Sequence, residues 1–160
     1  MAAKGSRPGP GEGRIASNRR ARHEYEILDT FEAGISLLGP EVKSLRQGRA
    51  NLADAYATVR GGEVFLHNLH IAPYEQAGRQ NPEPRRERKL LLHRREIHRL
   101  KGRVSERGFT LVPLSLYWRG GRAKVELALA RGKRTLDKRQ ALRRREQQRE
   151  MDRALRGRHS

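Results

Sequence analysis

The sequence contains no cysteine, and this absence excludes several kinds of chemistry at once. Disulfide bonds, cysteine-ligated zinc and thiol catalysis are all ruled out, and a cytoplasmic setting is favoured. No apolar run reaches the ~18 residues of a membrane span, so we predict no transmembrane helix. Residues 1–13 are rich in Gly, Pro and Arg without an apolar stretch, so no secretory signal is predicted there.

The motifs of common catalytic and cofactor sites are also missing. His67 and His70 fall in one predicted strand at a spacing that turns them to opposite faces, while His93 and His98 are poorly spaced for one helix face. No glycine-rich phosphate loop follows a predicted strand, and the carboxylates form no recognisable catalytic pair. We therefore predict that the protein is not an enzyme, and that it holds no metal and no cofactor.

Negative charge is scarce by comparison with positive charge. The 160 residues include 36 Lys and Arg against 18 Asp and Glu, which gives a net charge of +18. Such an excess indicates a polyanionic partner, and the two candidates are nucleic acid and an anionic membrane surface. A membrane surface is the weaker candidate, because the basic C-terminal segment has too few large apolar residues for an interfacial helix.

The charge and the apolar residues divide the chain into three parts. Residues 131–160 hold 12 Lys and Arg against 4 Asp and Glu, a net charge of +8, with only four large apolar residues. Such a segment cannot bury enough surface to fold alone. We predict a disordered basic arm at 1–14, a folded body at 15–131 and a basic tail at 132–160. A chain that ends before Gly132 is expected to fold.

The body has the alternation of an antiparallel β-sheet protein. Two hairpins are indicated by the pairs Gly61 with Gly62 and Gly120 with Gly121, because glycine tolerates the positive φ of a type I′ turn. Two further short strands are predicted to flank a turn at Glu32. One face of the second hairpin is predicted to carry Val112, Leu114, Leu116 and Trp118 on its first strand, and Val125, Leu127 and Leu129 on its second.

Helices are predicted at three places. One begins near Pro40 and stops at Gly48. A second carries Ile97, Leu100 and Val104 on one face and ends at Gly108. The tail is competent to form a third, capped by Asp137 and ending at Gly157. Residues 72–88 are predicted to be a crossing loop. The fold class is therefore mainly β, a small closed antiparallel barrel of the OB type with covering helices.

Several stretches, taken in order, resemble the SmpB family of tmRNA-binding proteins. They are IASNRRARHEY (15–25), FEAGI (31–35), GPEVKSLRQGRANL (39–52), GEVFLH (62–67), HIAPYE (70–75), RKLLLHRREI (88–97), LSLYW (114–118) and GKRTLDKR (132–139). No single stretch is decisive, but the ordered set is specific and spans most of the chain.

This resemblance implies a function in ribosome rescue by trans-translation. The barrel would bind the tRNA-like domain of tmRNA (SsrA RNA), as a monomer in the cytoplasm. Elongation factor Tu would take part in delivery to a stalled ribosome. The tail, disordered when free, would become helical in the empty mRNA channel near the decoding centre of the small subunit. The alternative is a general RNA-binding ribosomal or ribosome-assembly protein, and preference for tmRNA over bulk RNA separates the two.

Candidate site residues follow from basic patterning and from the resemblance together. Those assigned to tmRNA are Asn18, Arg19, Arg20, His23, Glu32, Lys43, Arg46, Lys89 and Leu91. Those assigned to the ribosome-binding tail are Gly132, Lys133, Arg134, Asp137, Lys138, Arg139, Arg143, Arg145 and Arg149. Guanidinium and ammonium groups bind phosphate, while the carboxylate of Glu32 accepts hydrogen bonds from base amino groups or from ribose hydroxyls.

Each of these assignments has a plainer interpretation. Residues 18–23 form either an RNA clamp or a solvated charged arm, with Asn18 and Glu32 expected to be exposed in both cases. If Leu90 and Leu92 face the core, Leu91 faces outward, where it contacts either RNA or the crossing loop. Lys43 and Arg46 are either phosphate ligands or solubilising charges, and the tail is either a channel probe or a disordered solubility segment.

Overall fold

The computed structural model describes residues 13–105 and 108–157, without the side chains of 134–143 and 156–157. Within these ranges lie nine β-strands, four α-helices and one 3₁₀ helix. They are β1 (Gly13–Ser17), α1 (Arg19–Glu24), β2 (Tyr25–Ile35), α2 (Gly39–Arg46), β3 (Ala50–Asn51), β4 (Tyr56–Arg60), β5 (Glu63–His67), β6 (His70–Ile71), the 3₁₀ helix (Glu75–Gln80), β7 (Arg88–Leu91), α3 (Arg94–Val104), β8 (Phe109–Arg119), β9 (Arg122–Gly132) and α4 (Lys133–Gly157).

Seven of the strands form one antiparallel sheet, so the prediction of a mainly β, antiparallel protein is confirmed. The strand order is β1-β8-β4-β5-β7-β2-β9, and β9 also pairs with β8. Starting at β8, the hydrogen-bonded pairings therefore run through β4, β5, β7, β2 and β9, and β9 pairs with β8 again. Strands β3 and β6 pair separately as a two-stranded sheet.

Both predicted Gly-Gly hairpins are present. Gly61 and Gly62 connect β4 to β5 with φ values of 60° and 76°, and Gly120 and Gly121 connect β8 to β9 with 59° and 72°. A residue with a Cβ is strained at such angles, so glycine is the residue that permits these two-residue connections. The local chemistry of each turn was sufficient to predict it.

The predicted break at Glu32 is wrong, because β2 is one strand of 11 residues. Phe31, Ala33 and Ile35 point inward and are buried, and the strand pairs with β9 on both sides of Glu32. A long partner strand satisfies the backbone through a stretch that looks like a turn in isolation. Glu32 consequently lies on the outer face of the sheet, in the interior of a strand.

Strand β8 also departs from its predicted pattern. Its register with β9 shifts after Pro113, and this bulge turns Val112 and Leu114 away from the face that carries Leu116 and Trp118. The prediction of a single apolar face on β8 is therefore wrong, whereas Val125, Leu127 and Leu129 of β9 all enter the main core. The second, smaller core contains Ala21, Val112, Leu114, Ala128 and Ala130.

The two helices predicted within the body are confirmed. Helix α2 has proline in its first turn, and Gly48 follows its end with a φ of 70°. Helix α3 buries Leu100 in the main core but stops at Val104 rather than continuing to Gly108. The hydroxyl of Ser105 donates to the carbonyl of Gly102 at 2.8 Å, which satisfies one carbonyl of the last turn.

Residues 72–88, the predicted crossing loop, are held in place by ion pairs of Arg86 and Arg88 with the buried carboxylate of Glu41. This segment contains the 3₁₀ helix, and Arg88 already belongs to β7. The Arg88 guanidinium is fully buried, donates to Glu41 at 2.6 Å and to the carbonyl of Leu69 at 2.6 Å, while Arg86 donates to Glu41 at 2.5 Å. Burial alone would raise the pKa of Glu41, but the hydrogen bonds from Arg86 and from the amide of Leu38, with the charge of Arg88, hold that pKa below its ordinary value.

The two ends of the chain differ in what the structure describes. Of the predicted arm at 1–14, all but Gly13 and Arg14 lie outside the described residues, and these two belong to β1. Helix α4 begins at Lys133, so the predicted cap at Asp137 is wrong. The helix continues to Gly157, the last residue that the structure describes, so the predicted stop there stays a prediction. Disorder of the free tail remains a prediction. No helix in the described ranges has the length and apolarity to cross a membrane.

Candidate nucleic-acid interface

Asn18 organises the entry to helix α1 and is not exposed, contrary to expectation. Its side chain is 6 % exposed, and its oxygen accepts a hydrogen bond from the amide of Ala21 at 3.2 Å as the helix N-cap. Its amide group donates to the carbonyls of Leu52 at 3.3 Å and Pro113 at 3.1 Å. Asn18 therefore fixes α1 against the bulge of β8.

Helix α1 exposes the basic side chains that were assigned to RNA. Arg19, Arg20 and His23 are all exposed, and Arg20 forms a 3.5 Å ion pair with Glu24. Arg19 makes no ion pair with any residue that the structure describes. Arg19 and His23 are one helical turn apart, so they occupy one face of α1.

The carboxylate of Glu32 is engaged by two side chains of β8. Its Oε2 accepts a hydrogen bond from the hydroxyl of Tyr117 at 2.6 Å and another from the guanidinium of Arg119 at 2.6 Å. The Arg119 guanidinium also lies 5.6 Å from the centre of the Tyr117 ring. Burial of the ring and the hydrogen bond to Glu32 raise the pKa of Tyr117, so its hydroxyl remains a donor at neutral pH.

Leu91 lies on the same outer face of the sheet as Glu32, opposite Gly34. Leu90 is buried and Leu91 is 54 % exposed, so the predicted alternation of this strand is confirmed. Gly34 pairs with Leu91 on one side and with Lys124 on the other. A Cβ at Gly34 would lie 3.3 Å from the Cβ of Leu91, so glycine leaves the space that this leucine occupies.

A groove of about 390 Å³ opens at the end of this face, where the outward-facing Leu91 and Lys124 meet the inward-facing Ile35 and Ala123. Its lining combines apolar side chains with the two cations Arg122 and Lys124, neither of which makes an ion pair with a described residue. The lining residues are Gly34, Ile35, Leu37, Val42, Leu91, Trp118, Gly121, Arg122, Ala123 and Lys124. Apolar walls with cations at the rim suit a nucleotide, whose base is apolar on its faces and whose phosphate is anionic.

The remaining predicted cations of the body do not line this groove. Lys89 is exposed on β7 and pairs with Glu63 at 2.9 Å. Lys43 lies 5.3 Å from the centre of the Tyr74 ring. Arg46 lines a second groove of about 440 Å³, which shares Trp118 and Gly121 with the first.

The start of the tail adjoins helix α1. Gly132 is the last residue of β9 and pairs with Tyr25, and the ammonium of Lys133 donates to the carbonyl of Arg22 at 3.3 Å. Arg145 and Arg149 are exposed on α4. The side chains of the other predicted tail residues, Arg134, Asp137, Lys138, Arg139 and Arg143, lie outside the described set.

Sequence reasoning missed Tyr117, Arg119, Arg122 and Lys124. A signal for Lys124 was present, because it alternates with buried residues along β9 and so had to face outward. No comparable signal linked Tyr117 to Glu32, since the two are 85 residues apart in the sequence. Among the described residues, no group of three or more His, Asp or Glu side chains is placed to hold a metal ion.

A small antiparallel β body with exposed Arg and Lys beside an outward-facing leucine and an amphipathic groove defines a nucleic-acid-binding class of protein. The SmpB protein family model matches residues 15–157. The SsrA-binding protein of Symbiobacterium thermophilum is 62% identical over 146 residues, which cover 91% of this chain and 92% of that protein. The SsrA-binding protein of Acidothermus cellulolyticus is 64% identical over 141 residues, which cover 88% of this chain and 89% of that protein. The chain therefore belongs to the SmpB family.

A solved structure agrees with this assignment. One chain of a solved structure described as "tmRNA-SmpB: a journey to the center of the bacterial ribosome" superimposes on this chain with a TM-score of 0.64 and is 54% identical to it in sequence. The match covers 78% of this chain and 85% of that chain. The solved chain therefore supports both the fold described above and the family assignment.

Proposed function

We propose that this protein binds tmRNA, through the tRNA-like domain of that RNA, and delivers it to stalled ribosomes in trans-translation. The observation that carries the proposal is the SmpB match over residues 15–157, which includes the whole outer face that bears Glu32 and Leu91. The relatives named as SsrA-binding proteins and the solved tmRNA-SmpB structure support it. The role is one of binding and delivery rather than catalysis.

The folded body acts as an OB-like barrel in this proposal. The ladder that returns from β9 to β8 supports a closed barrel, and such barrels commonly bind oligonucleotides on an outer face. Arg19, Arg20 and His23 bind the RNA backbone from α1, and Lys43, Arg46 and Lys89 add phosphate contacts at the periphery. Asn18 contributes by holding α1 in place.

Glu32 and Leu91 form the centre of the RNA site in this proposal. A carboxylate near RNA is tolerated only where it accepts a hydrogen bond, and base amino groups and ribose hydroxyls supply such donors. The exposed side chain of Leu91 packs on a base or a ribose. The cations Arg122 and Lys124 along the adjoining groove bind the flanking phosphates.

The tail provides the ribosomal half of the function. Residues 132–160 enter the empty mRNA channel of a stalled ribosome, where a segment of net charge +7 is attracted by channel walls of rRNA. Asp137, Lys138 and Arg139 then lie near the decoding centre. The protein acts in the cytoplasm as a monomer on tmRNA, and elongation factor Tu takes part in delivery.

Co-purification followed by sequencing of the bound RNA tests this proposal directly. We expect tmRNA to be strongly enriched over bulk RNA with the wild-type chain and depleted with Leu91→Ala. Leu38→Ala is the matched control, because Leu38 is similarly exposed at 49 % but does not line the groove beside Leu91. Recovery of ribosomal RNA without tmRNA enrichment would instead identify a general ribosomal or ribosome-assembly protein.

A further inference from the structure

We propose that Tyr117 and Arg119 are positioning residues of the RNA site, which hold Glu32 so that one carboxylate oxygen faces RNA as a hydrogen-bond acceptor. This inference rests on the proposed function, since it concerns how the RNA site is prepared for its ligand. It begins from one geometric fact: both side chains donate to the same oxygen, Oε2 of Glu32, each at 2.6 Å.

The second oxygen of Glu32 is left for a ligand. No described residue donates a hydrogen bond to Oε1 of Glu32, and the side chain is 36% exposed. The neighbouring acid, Glu126, is engaged differently, because the hydroxyl of Ser115 donates to it at 3.0 Å and Arg22 lies 4.0 Å from it. Of the two acids paired across β2 and β9, Glu32 is the one whose carboxylate is held by Tyr117 and Arg119.

Holding the carboxylate matters because glutamate is flexible and anionic. An unrestrained glutamate loses side-chain entropy when it orders on a ligand, and its charge repels nearby phosphate. The Tyr117 hydroxyl fixes the orientation of the carboxylate, and the adjacent Arg119 guanidinium offsets its charge. Because the pKa of Tyr117 is raised, this hydrogen bond persists throughout the neutral range.

The chemistry of Oε1 restricts what the RNA must offer. A carboxylate oxygen accepts but does not donate at neutral pH, so the facing RNA group has to be an N–H or an O–H. Guanine, cytosine and adenine amino groups and the ribose 2′-hydroxyl all qualify. A duplex that buries its amino groups in base pairs offers fewer of these donors than an unpaired loop does.

A double-mutant cycle on the full-length chain tests the positioning role. We expect Tyr117→Phe to weaken binding to full-length tmRNA on the order of tenfold, the effect of one lost hydrogen bond to a charged group. In a Glu32→Ala background the same substitution should change the dissociation constant less than about twofold. Tyr56→Phe is the control, because Tyr56 is exposed and its ring stacks on His67 rather than contacting Glu32.

The salt dependence separates positioning by Arg119 from direct phosphate binding. If Arg119 only holds Glu32, Arg119→Gln should weaken binding without changing the slope of log K against log salt. A direct phosphate ligand would instead reduce that slope by about 0.9. Arg122→Gln serves as the comparison, because Arg122 lines the groove without an ion pair to a described residue and is expected to change the slope.

Substitutions in the RNA then identify the donor. Inosine in place of guanosine removes a base amino group, and a 2′-deoxy nucleotide removes the ribose hydroxyl. We expect one of the two to weaken binding to the wild-type chain and to have little effect on Glu32→Ala. Tyr117→Phe should reduce that penalty, which a purely structural role for Tyr117 would leave unchanged.

Three results would overturn the inference. Equal effects of Tyr117→Phe in both backgrounds would show that the tyrosine contacts RNA itself, and no effect in either would show that it is not needed. A lower melting temperature that accounts for the loss of affinity would make its role structural. If Glu32→Ala itself left tmRNA binding intact, the proposed RNA site would be wrong, and the inference would fall with it.

Discussion

Polar side chains in this protein differ sharply in burial, and burial separates their roles. Asn18, Glu41 and Arg88 are buried and fully engaged, whereas Arg19 and Arg20 on α1 are exposed. Buried polar groups that lose a partner leave desolvated atoms behind, so their substitution affects folding first. Exposed cations have little effect on stability, so their substitution affects ligand binding first.

For this reason Asn18→Ala is expected to destabilise the protein. Two carbonyls lose their donor and α1 loses its cap, which together cost about 1–3 kcal/mol. Urea unfolding measures this loss. Arg19→Ala is the control, expected to unfold like the wild type but to bind tmRNA more weakly. Wild-type stability of Asn18→Ala would contradict the cap and bridging roles.

Glu41 is expected to make folding stability sensitive to acid. Since its pKa is lower in the folded protein than its ordinary value of 4.5, its contribution is fully present above that value and is lost as the pH falls through the folded pKa. Glu41→Gln should cost about 3–5 kcal/mol at pH 7, because Arg88 stays buried without its counter-charge. It should also flatten the acid limb of a plot of unfolding free energy against pH.

The control for this experiment is Glu63→Gln. Glu63 also pairs with a cation, Lys89, but both side chains are close to half exposed. Its removal should change the stability by less than about 1 kcal/mol. If the two variants showed the same acid dependence, the buried network would not be its source.

At the scale of elements, the contact between β2 and β7 shapes the RNA face. Gly34→Ala would place a Cβ 3.3 Å from the Cβ of Leu91, so Leu91 has to move. We expect tmRNA affinity to fall about fivefold, since overpacking of about 1 kcal/mol displaces the side chain from its place beside the groove. Gel-shift titration of tmRNA measures the change.

Gly39→Ala is the matched control for this contact. A Cβ at Gly39 meets no atom within 4 Å, and the residue begins α2 rather than lining the groove. Its affinity for tmRNA should equal that of the wild type. An equal loss in both variants would show that the effect of Gly34→Ala does not arise from Leu91.

At the scale of the whole molecule, the body and the tail are expected to carry out different steps of the function: the body binds tmRNA, and the tail acts on the ribosome. The structure places Gly132 in β9, paired with Tyr25, so a truncation should follow Gly132 rather than precede it. The shortened chain is expected to fold and to retain most of its tmRNA affinity, because the main core and the outer face are complete. It is expected to fail in ribosome rescue.

Two measurements on this truncated protein check the expectation: gel-shift affinity for tmRNA, and peptide tagging on ribosomes stalled without a stop codon. The proposed separation is refuted by normal tagging, or by a loss of tmRNA binding as large as the loss of tagging. Circular dichroism of the isolated tail tests a further prediction, that the free segment is largely disordered, since a highly charged segment with few large apolar residues gains little from packing.

Features that depend on neighbours in the sequence were predictable from the sequence alone. Glycine pairs indicated both hairpins, proline and glycine marked the ends of α2, and alternation placed Leu90 inward and Leu91 outward. Each of these follows from the conformational preferences of a few adjacent residues. The ordered motifs between 15 and 139 were likewise sufficient to indicate the family.

Only the tertiary structure decided the features that depend on distant partners. Strand β2 continues through Glu32 because β9 pairs with it, and the bulge in β8 redirects Val112 and Leu114 into a separate small core. Asn18 is buried because the carbonyls of Leu52 and Pro113 meet it there. A local sequence pattern does not indicate such pairings, because they join residues that are far apart in the sequence and come together only when the whole chain folds.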